Sequence, residues 1–209
     1  MTSDIQQPPV LSEDHREALQ EIVNIGMGAA GDSLARALGI FVKLSIPRIQ
    51  LVHVTQLAQK VGEMVGSSEN VTAVQQAFFS HWLGETITIF QREGNHELGK
   101  LLHYPQDLDA DAEAELLLDV ANILCGACMN GIAENLNVEL NFSPPSILQE
   151  NTPAAEIFNP LNMQWEYALL LEVNFKLENH NFTAHLLTLM SQDSIEILCT
   201  DVDRFLESY

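Results

Sequence analysis

Basic residues are what this chain has least of. Lys and Arg together number 9 against 29 Asp and Glu, a formal net charge of −20. Nucleic acids and anionic lipid surfaces are recognised by clustered Lys and Arg that neutralise phosphates, so neither is expected as a partner. No charge-free apolar run reaches the roughly eighteen residues of a membrane span. Met1 to Val10 has neither the basic stretch nor the apolar core of a secretory signal. With only 3 cysteines, an odd number, the expectation is reduced thiols in a cytoplasm rather than a disulfide framework. Common reaction motifs are missing as well. There is no Gly-x-x-x-x-Gly-Lys-Ser/Thr phosphate loop, no Gly-x-Ser-x-Gly elbow and no evident Cys/His nucleophile pair. The 7 histidines are scattered without ligand spacing and read as surface or strand residues. Cys125-Gly-Ala-Cys128 has the spacing of a metal half-site, but it falls inside a predicted helix and no second pair completes a tetrahedral set. Both thiols are expected to pack in the core, and no metal is expected on this chain. Carboxylates and carboxamides are left to do any chemistry.

What the chain has instead is a repeat. Glu17, Glu21 and Asn24 are followed by Pro47; Glu115, Asp119 and Asn122 are followed by Pro145; one separation of 98 residues relates all four pairs. A constant separation across a helix, a turn and a proline marks a duplicated unit. Residues at i, i+4 and i+7 share one stripe of a helix, so each pair of acids lines up with its Asn. Leu19, Ile22, Val23, Gly26, Ala30 and Leu34 form the inward stripe of the first helix. Leu117, Val120, Ala121, Leu124 and Cys128 do so in the second. A solvated helix face accounts for one such copy; its recurrence at the same spacing points to use. Asn and Gly are poor helix formers, yet Gly26, Gly28 and Gly31 follow the first motif and Gly126 and Gly131 the second. Their cost suggests that another backbone, or a partner, comes close.

In order, residues 1–10 read as an adaptable tail, and Ser12 as the N-cap of a helix running to about Leu38 and ending at Gly39. Ile40 to Val54 is extended around Pro47, which lacks an amide donor and belongs at a strand edge, bulge or start. Thr55 to Gly66 is a short helix, and Ser67 to Asn70 a turn. Val71–Ser80 and Gly84–Gln91 form a hairpin, Thr86 to Phe90 alternating as a half-buried strand. Asn95 to His103 is helical, and Pro105 to Ala110 joins the halves. The second half repeats the order: helix from about Asp111 to Leu136, extended Val138 to Pro145, a looser stretch Glu150 to Trp165, a hairpin of Tyr167–Leu177 and Phe182–Met190 turning at 178–181, and a closing helix from Ser191 to Leu206. The fold class is therefore α+β, a pseudo-twofold duplicated unit in which long helices pack on one side of an antiparallel sheet. Residues 11–209 are expected to be a single domain of two repeats, about 11–105 and 110–206, because one hairpin alone buries too little apolar surface. The sequence by itself also admits two small domains.

Acid or Ser, three residues, Glu, two residues, Asn, twenty-two residues, Pro resembles the signature of the CheC/CheX/FliY phosphatases of bacterial chemotaxis. Asn-Ile-Gly-Met-Gly-Ala-Ala after the first motif, Asn-Ile-Leu-Cys-Gly-Ala-Cys-Met-Asn after the second and Ser143-Pro144-Pro145-Ser146 are similar to that family's wording. Two copies point to its CheC branch, and the resemblance runs from about Leu11 to Phe205. Glu17 and Glu115 stand where the family more often has Asp or Ser, and Asp119 replaces Glu. The resemblance implies two halves sharing one sheet, and a phosphatase that speeds hydrolysis of the aspartyl phosphate of a CheY-like response regulator. Asn24 or Asn122 would orient the attacking water, and Glu21 or Asp119 would pair with the regulator's lysine. Glu17 and Glu115 would be flanking partner contacts, and Pro47 and Pro145 would shape the segments beside the motif helices. No cofactor is expected on this chain, with Mg²⁺ belonging to the regulator's own site. Asp119 is shorter than Glu by about 1.5 Å of covalent reach, so the first site is expected to be the more effective. Two other readings stay open: a non-catalytic switch protein that binds phosphorylated regulators, and a regulatory partner of a CheD-like receptor deamidase.

Overall fold

The computed structural model describes residues 11–104, 109–158, 167–180 and 182–208. The expected tail at 1–10 and most of the join at 105–110 lie outside these residues. Ser12 caps the first helix, α1 (Glu13–Leu38), by accepting from the His15 N–H at 3.1 Å, and Gly39 ends it at φ 68°. Strands β1 (Val42–Leu44) and β2 (Arg48–His53) follow, then a 3-10 turn and helix α2 (Leu57–Val65). The first hairpin is β3 (Asn70–Ser80) with β4 (Gly84–Gln91), closed by α3 (Asn95–Leu101). The second half opens with α4 (Ala110–Asn135), capped by Asp109. It continues with β5 (Leu140–Phe142), β6 (Ser146–Pro153), β7 (Tyr167–Leu177), β8 (Thr183–Met190) and α5 (Gln192–Glu207).

Among the described residues 8 strands form one antiparallel sheet of order β1-β7-β8-β4-β3-β5, with β2 continuing β1 along β7 and β6 continuing β5 along β3. A twofold relation is written into the central pairing. Ile87 lies opposite Leu187, and the pair Glu85–Leu189 is mirrored by Ile89–His185. Each edge is broken at a proline: Pro47 separates β1 from β2, and Pro145 separates β5 from β6. A residue without an N–H belongs at such a break.

The core falls in two layers. On one face α1, α4 and α5 bury Leu19, Ile22, Leu34, Leu116, Val120, Leu124, Ile195 and Leu198 against Phe78, Phe90, Val173 and Phe175. The long helices share that side, as expected, but the short helix α2 does not, so the helices are not all segregated to one face. Helix α2 covers the opposite face, its Leu57, Val61 and Val65 meeting Ala73, Ile87, Ile89 and Leu170. β4 is therefore buried on both faces along Thr86–Phe90, not half-buried; threonines on the α1/α4 side gave it a false alternation. The stretch expected to be loose from Glu150 is ordered at its start, completing β6 and a 3-10 turn at Ala154–Glu156. Residues 159–166 lie outside the described part. By length and composition α4 could cross a membrane, but 56% of its most apolar window is buried inside the fold, which is the position of a core helix.

Candidate functional site

Helix α1 presents Glu17, Glu21 and Asn24 to solvent, while Leu19, Ile22, Val23 and Met27 between them are almost wholly buried. Helix α4 presents Glu115, Asp119 and Asn122 above buried Leu117, Val120 and Ala121 in the same manner. The two helices cross where Gly131 lies so near α1 that an added Cβ would stand 2.6 Å from the Gly26 Cα. Backbone approach thus explains these two glycines. It does not explain Gly28 and Gly126, where an added Cβ meets nothing within 4 Å.

At the first motif, Glu17, Gln20, Glu21 and Asn24 line an open groove of about 290 Å³ whose other wall is Ile46 and Pro47. Pro47 is itself buried, and the break it makes in the edge strand turns Ile46 out, 75% exposed. Ile25, beside Asn24, is 47% exposed. Large apolar side chains rimming polar ones in this way are the composition of a protein-binding patch. The side chains of Glu21 and Asn24 have no hydrogen-bond partner among the described residues, so a carboxylate and a carboxamide stand ready one helical turn apart.

The second motif differs. The Tyr104 hydroxyl donates to Asp119 Oδ2 at 2.9 Å, and Gln76 Nε2 donates to Asn122 Oδ1 at 2.9 Å and to the Ser143 carbonyl at 2.9 Å. Partial burial, the bond to Asp119 and the charges of Asp119 and Glu115 push the Tyr104 phenol up to about 12. It therefore keeps its proton and remains a donor. Glu115 is exposed, and Pro145 is half-buried beside Pro144. Sequence reasoning missed Tyr104 and Gln76. The available signal was Gln76 itself, a polar residue between Val74 and Phe78 on the helix-facing side of an apolar strand.

Cys125 and Cys128 are buried, with their thiols pushed up to about 11 and about 12, by burial in both cases and for Cys128 also by the neighbouring Cys125. At neutral pH they are protonated packing groups. Among the described residues no group of three or more His, Cys, Asp or Glu is placed to hold a metal ion.

No protein-family model matches the chain. Its fold is that of several solved structures. FliY of Thermotoga maritima superposes with a TM-score of 0.71 at 16% identity, covering 94% of this chain and 99% of that one. A chemotaxis protein CheX from Desulfovibrio desulfuricans matches with a TM-score of 0.53 at 14% identity over 80% and 99% of the two chains. The middle domain of FliM from H. pylori matches with a TM-score of 0.59 at 9% identity over 91% and 99%.

Proposed function

We propose that this chain is a phosphatase of the CheC/CheX/FliY kind, which accelerates hydrolysis of the aspartyl phosphate of a CheY-like response regulator. The observation that carries the reading is the first motif: Glu21 and Asn24 exposed on one stripe, without partners among the described residues, beside an apolar rim. Such a set offers no serine, cysteine or histidine and, among the described residues, no group of three metal ligands, and it suits a reaction whose reactive group arrives on another protein. Phosphoryl transfer depends chiefly on positioning and charge stabilisation. The Asn24 carbonyl accepts a hydrogen bond from water and holds its lone pair toward phosphorus, in line with the bond to the aspartate. Water then adds at phosphorus as the P–O bond to the aspartyl carboxylate breaks, giving inorganic phosphate and the free carboxylate. Glu21 pairs with the regulator's lysine, which sets the depth and angle of docking. Mg²⁺ is supplied by the regulator's own site, and two acids can approach an anionic phosphoryl group only with such cations between them.

The test is phosphate release from a purified phosphorylated receiver domain. Wild-type protein should accelerate it, and Asn24→Ala should lower the accelerated rate by about tenfold to a thousandfold, the usual range for a lost transition-state group. Circular dichroism should be unchanged, because Asn24 is exposed. The fold match to a FliM middle domain supports one rival, a binding or switch protein. Capture of the phosphorylated receiver with no faster loss of phosphate would establish that reading instead.

A further inference from the structure

The two motifs are alike in sequence but not in what surrounds them. At the first, Ser45 exchanges backbone bonds with Asn174: its N–H donates to the Asn174 carbonyl at 3.0 Å, and its Oγ accepts from the Asn174 N–H at 3.1 Å. At the second, Ser143 makes the same pair of bonds with Ala77, each at 3.0 Å. Asn174 and Ala77 are therefore equivalent in the two repeats, and so are their predecessors, Val173 and Gln76. Val173 is an ordinary core residue, 1% exposed. Gln76 is as deeply buried, 3% exposed, and its Oε1 has no partner among the described residues. Burying an amide with an unpaired oxygen costs folding free energy that a valine would not. What the amide gains is two bonds, one to the Ser143 carbonyl and one to Asn122.

The orientation of that bond matters. Turning the Gln76 carboxamide over would set its oxygen against the Ser143 carbonyl, so its NH₂ faces both Ser143 O and Asn122 Oδ1. The Asn122 carbonyl is thereby turned onto β3. What Asn122 offers outward is its own NH₂, which would engage the lone pair that an attacking water needs. Asp119 is engaged as well, by Tyr104. We infer that the Asp119/Asn122 motif is latched shut by two of the chain's own side chains, Gln76 and Tyr104, so that the Glu21/Asn24 motif is the working site. This rests on the phosphatase reading for its functional meaning, but the latch itself can be examined without a receiver.

The decisive experiment opens the latch in a background where the first site is silent. Asn24→Ala protein should release phosphate from the receiver at close to the receiver's own rate. Adding Gln76→Val, the residue of the other repeat, together with Tyr104→Phe should restore acceleration by about tenfold or more, and Asn122→Ala on top should abolish the gain. Tyr104→Phe alone, which deletes one hydroxyl from a partly exposed ring, should give part of the gain and keeps the test standing if Gln76→Val fails to fold. A folded Asn24→Ala/Gln76→Val/Tyr104→Phe protein with no gain overturns the proposal, as does Asn24→Ala protein that retains activity lost with Asn122→Ala. A receiver-free readout separates the latch from the phosphatase reading. In ¹⁵N NMR, Asn122→Ala should shift the Gln76 side-chain amide signals and speed their exchange with water. If they do so while no receiver is dephosphorylated, the latch stands and the phosphatase reading falls; if they are unmoved, the latch falls.

Discussion

Gly28 and Gly126 stand one helical turn beyond Asn24 and Asn122, on the same stripes, and a Cβ at either would meet nothing within 4 Å. Nothing described in this chain requires glycine there, although glycine costs about 1 kcal/mol against alanine in a helix interior. A partner backbone resting on the stripe would require it. Gly28→Ala should therefore raise stability by about 0.5–1 kcal/mol in urea unfolding and weaken binding to the phosphorylated receiver. Gly131→Ala should do the opposite: with its Cβ 2.6 Å from the Gly26 Cα the helices must separate, at a cost of about 1–3 kcal/mol. If Gly28→Ala binds the receiver as tightly as wild type, the close approach is wrong and the glycine has no role in docking. At this scale the sequence was most legible. Helical spacing alone put Glu21, Asn24, Asp119 and Asn122 on exposed stripes. The polar Gln76 on an apolar strand marked an oddity, but its pairing with Asn122, and that of Tyr104 with Asp119, was not legible. They reach α4 from a strand and a loop, and no periodicity links residues across such contacts.

Among the elements, the hairpin of β7 and β8 carries a group that ties stability to pH. His185 is 5% exposed, its Nδ1 lying 2.6 Å from Asn174 Oδ1 while its Nε2 is buried without a partner among the described residues. Burial first, and the charge of Lys176 second, lower its pKa from 6.5 to about 4. The folded protein thus holds a neutral imidazole. Below pH 6.5 the unfolded chain takes up a proton that the folded one refuses, so the contribution is intact above about pH 6.5 and is lost as pH falls toward 4. At about 1.4 kcal/mol per pH unit the loss is at most about 3.5 kcal/mol. His185→Gln should flatten the stability profile between pH 6.5 and 4 relative to wild type in urea unfolding; parallel profiles would place the acid sensitivity elsewhere. Helix limits were readable to within a residue or two from Ser12, Gly39 and the apolar period. The side on which α2 packs was not. An amphipathic helix states that it has a buried face, not which face of the sheet it covers, and β4 hid its second buried face behind Thr86 and Thr88.

The whole molecule is interlocked, and amino-acid pattern gives no warning of it. β1 and β2 of the first repeat do not pair with their own hairpin but with β7 of the second, and β5 and β6 pair with β3 of the first. The hairpin tips are pinned crosswise too. Buried Asp201 on α5 accepts from Trp82 Nε1 and engages His81, both at 2.9 Å, while Glu97 on α3 engages His180 at 3.2 Å. One repeat alone would leave its hairpin with two open edges and its broken strand without a partner, and an isolated hairpin is at best marginal in water. A chain divided between Tyr104 and Asp109 should therefore give pieces that separately lack cooperative unfolding. Mixed in equal amounts they should assemble, because the interface is the whole sheet and opening one connection costs mainly the entropy of association. The assembly should be mixed, not a pair of identical halves. The close approach joins Gly26 to Gly131, positions that the repeat does not relate. Two copies of the second repeat would instead bring Leu124, the counterpart of Gly26, against Gly131, where no side chain fits. Sedimentation and circular dichroism of each piece and of the mixture decide the point. A folded dimer of the second piece alone would show that the sheet, not the helix crossing, dictates which halves assemble.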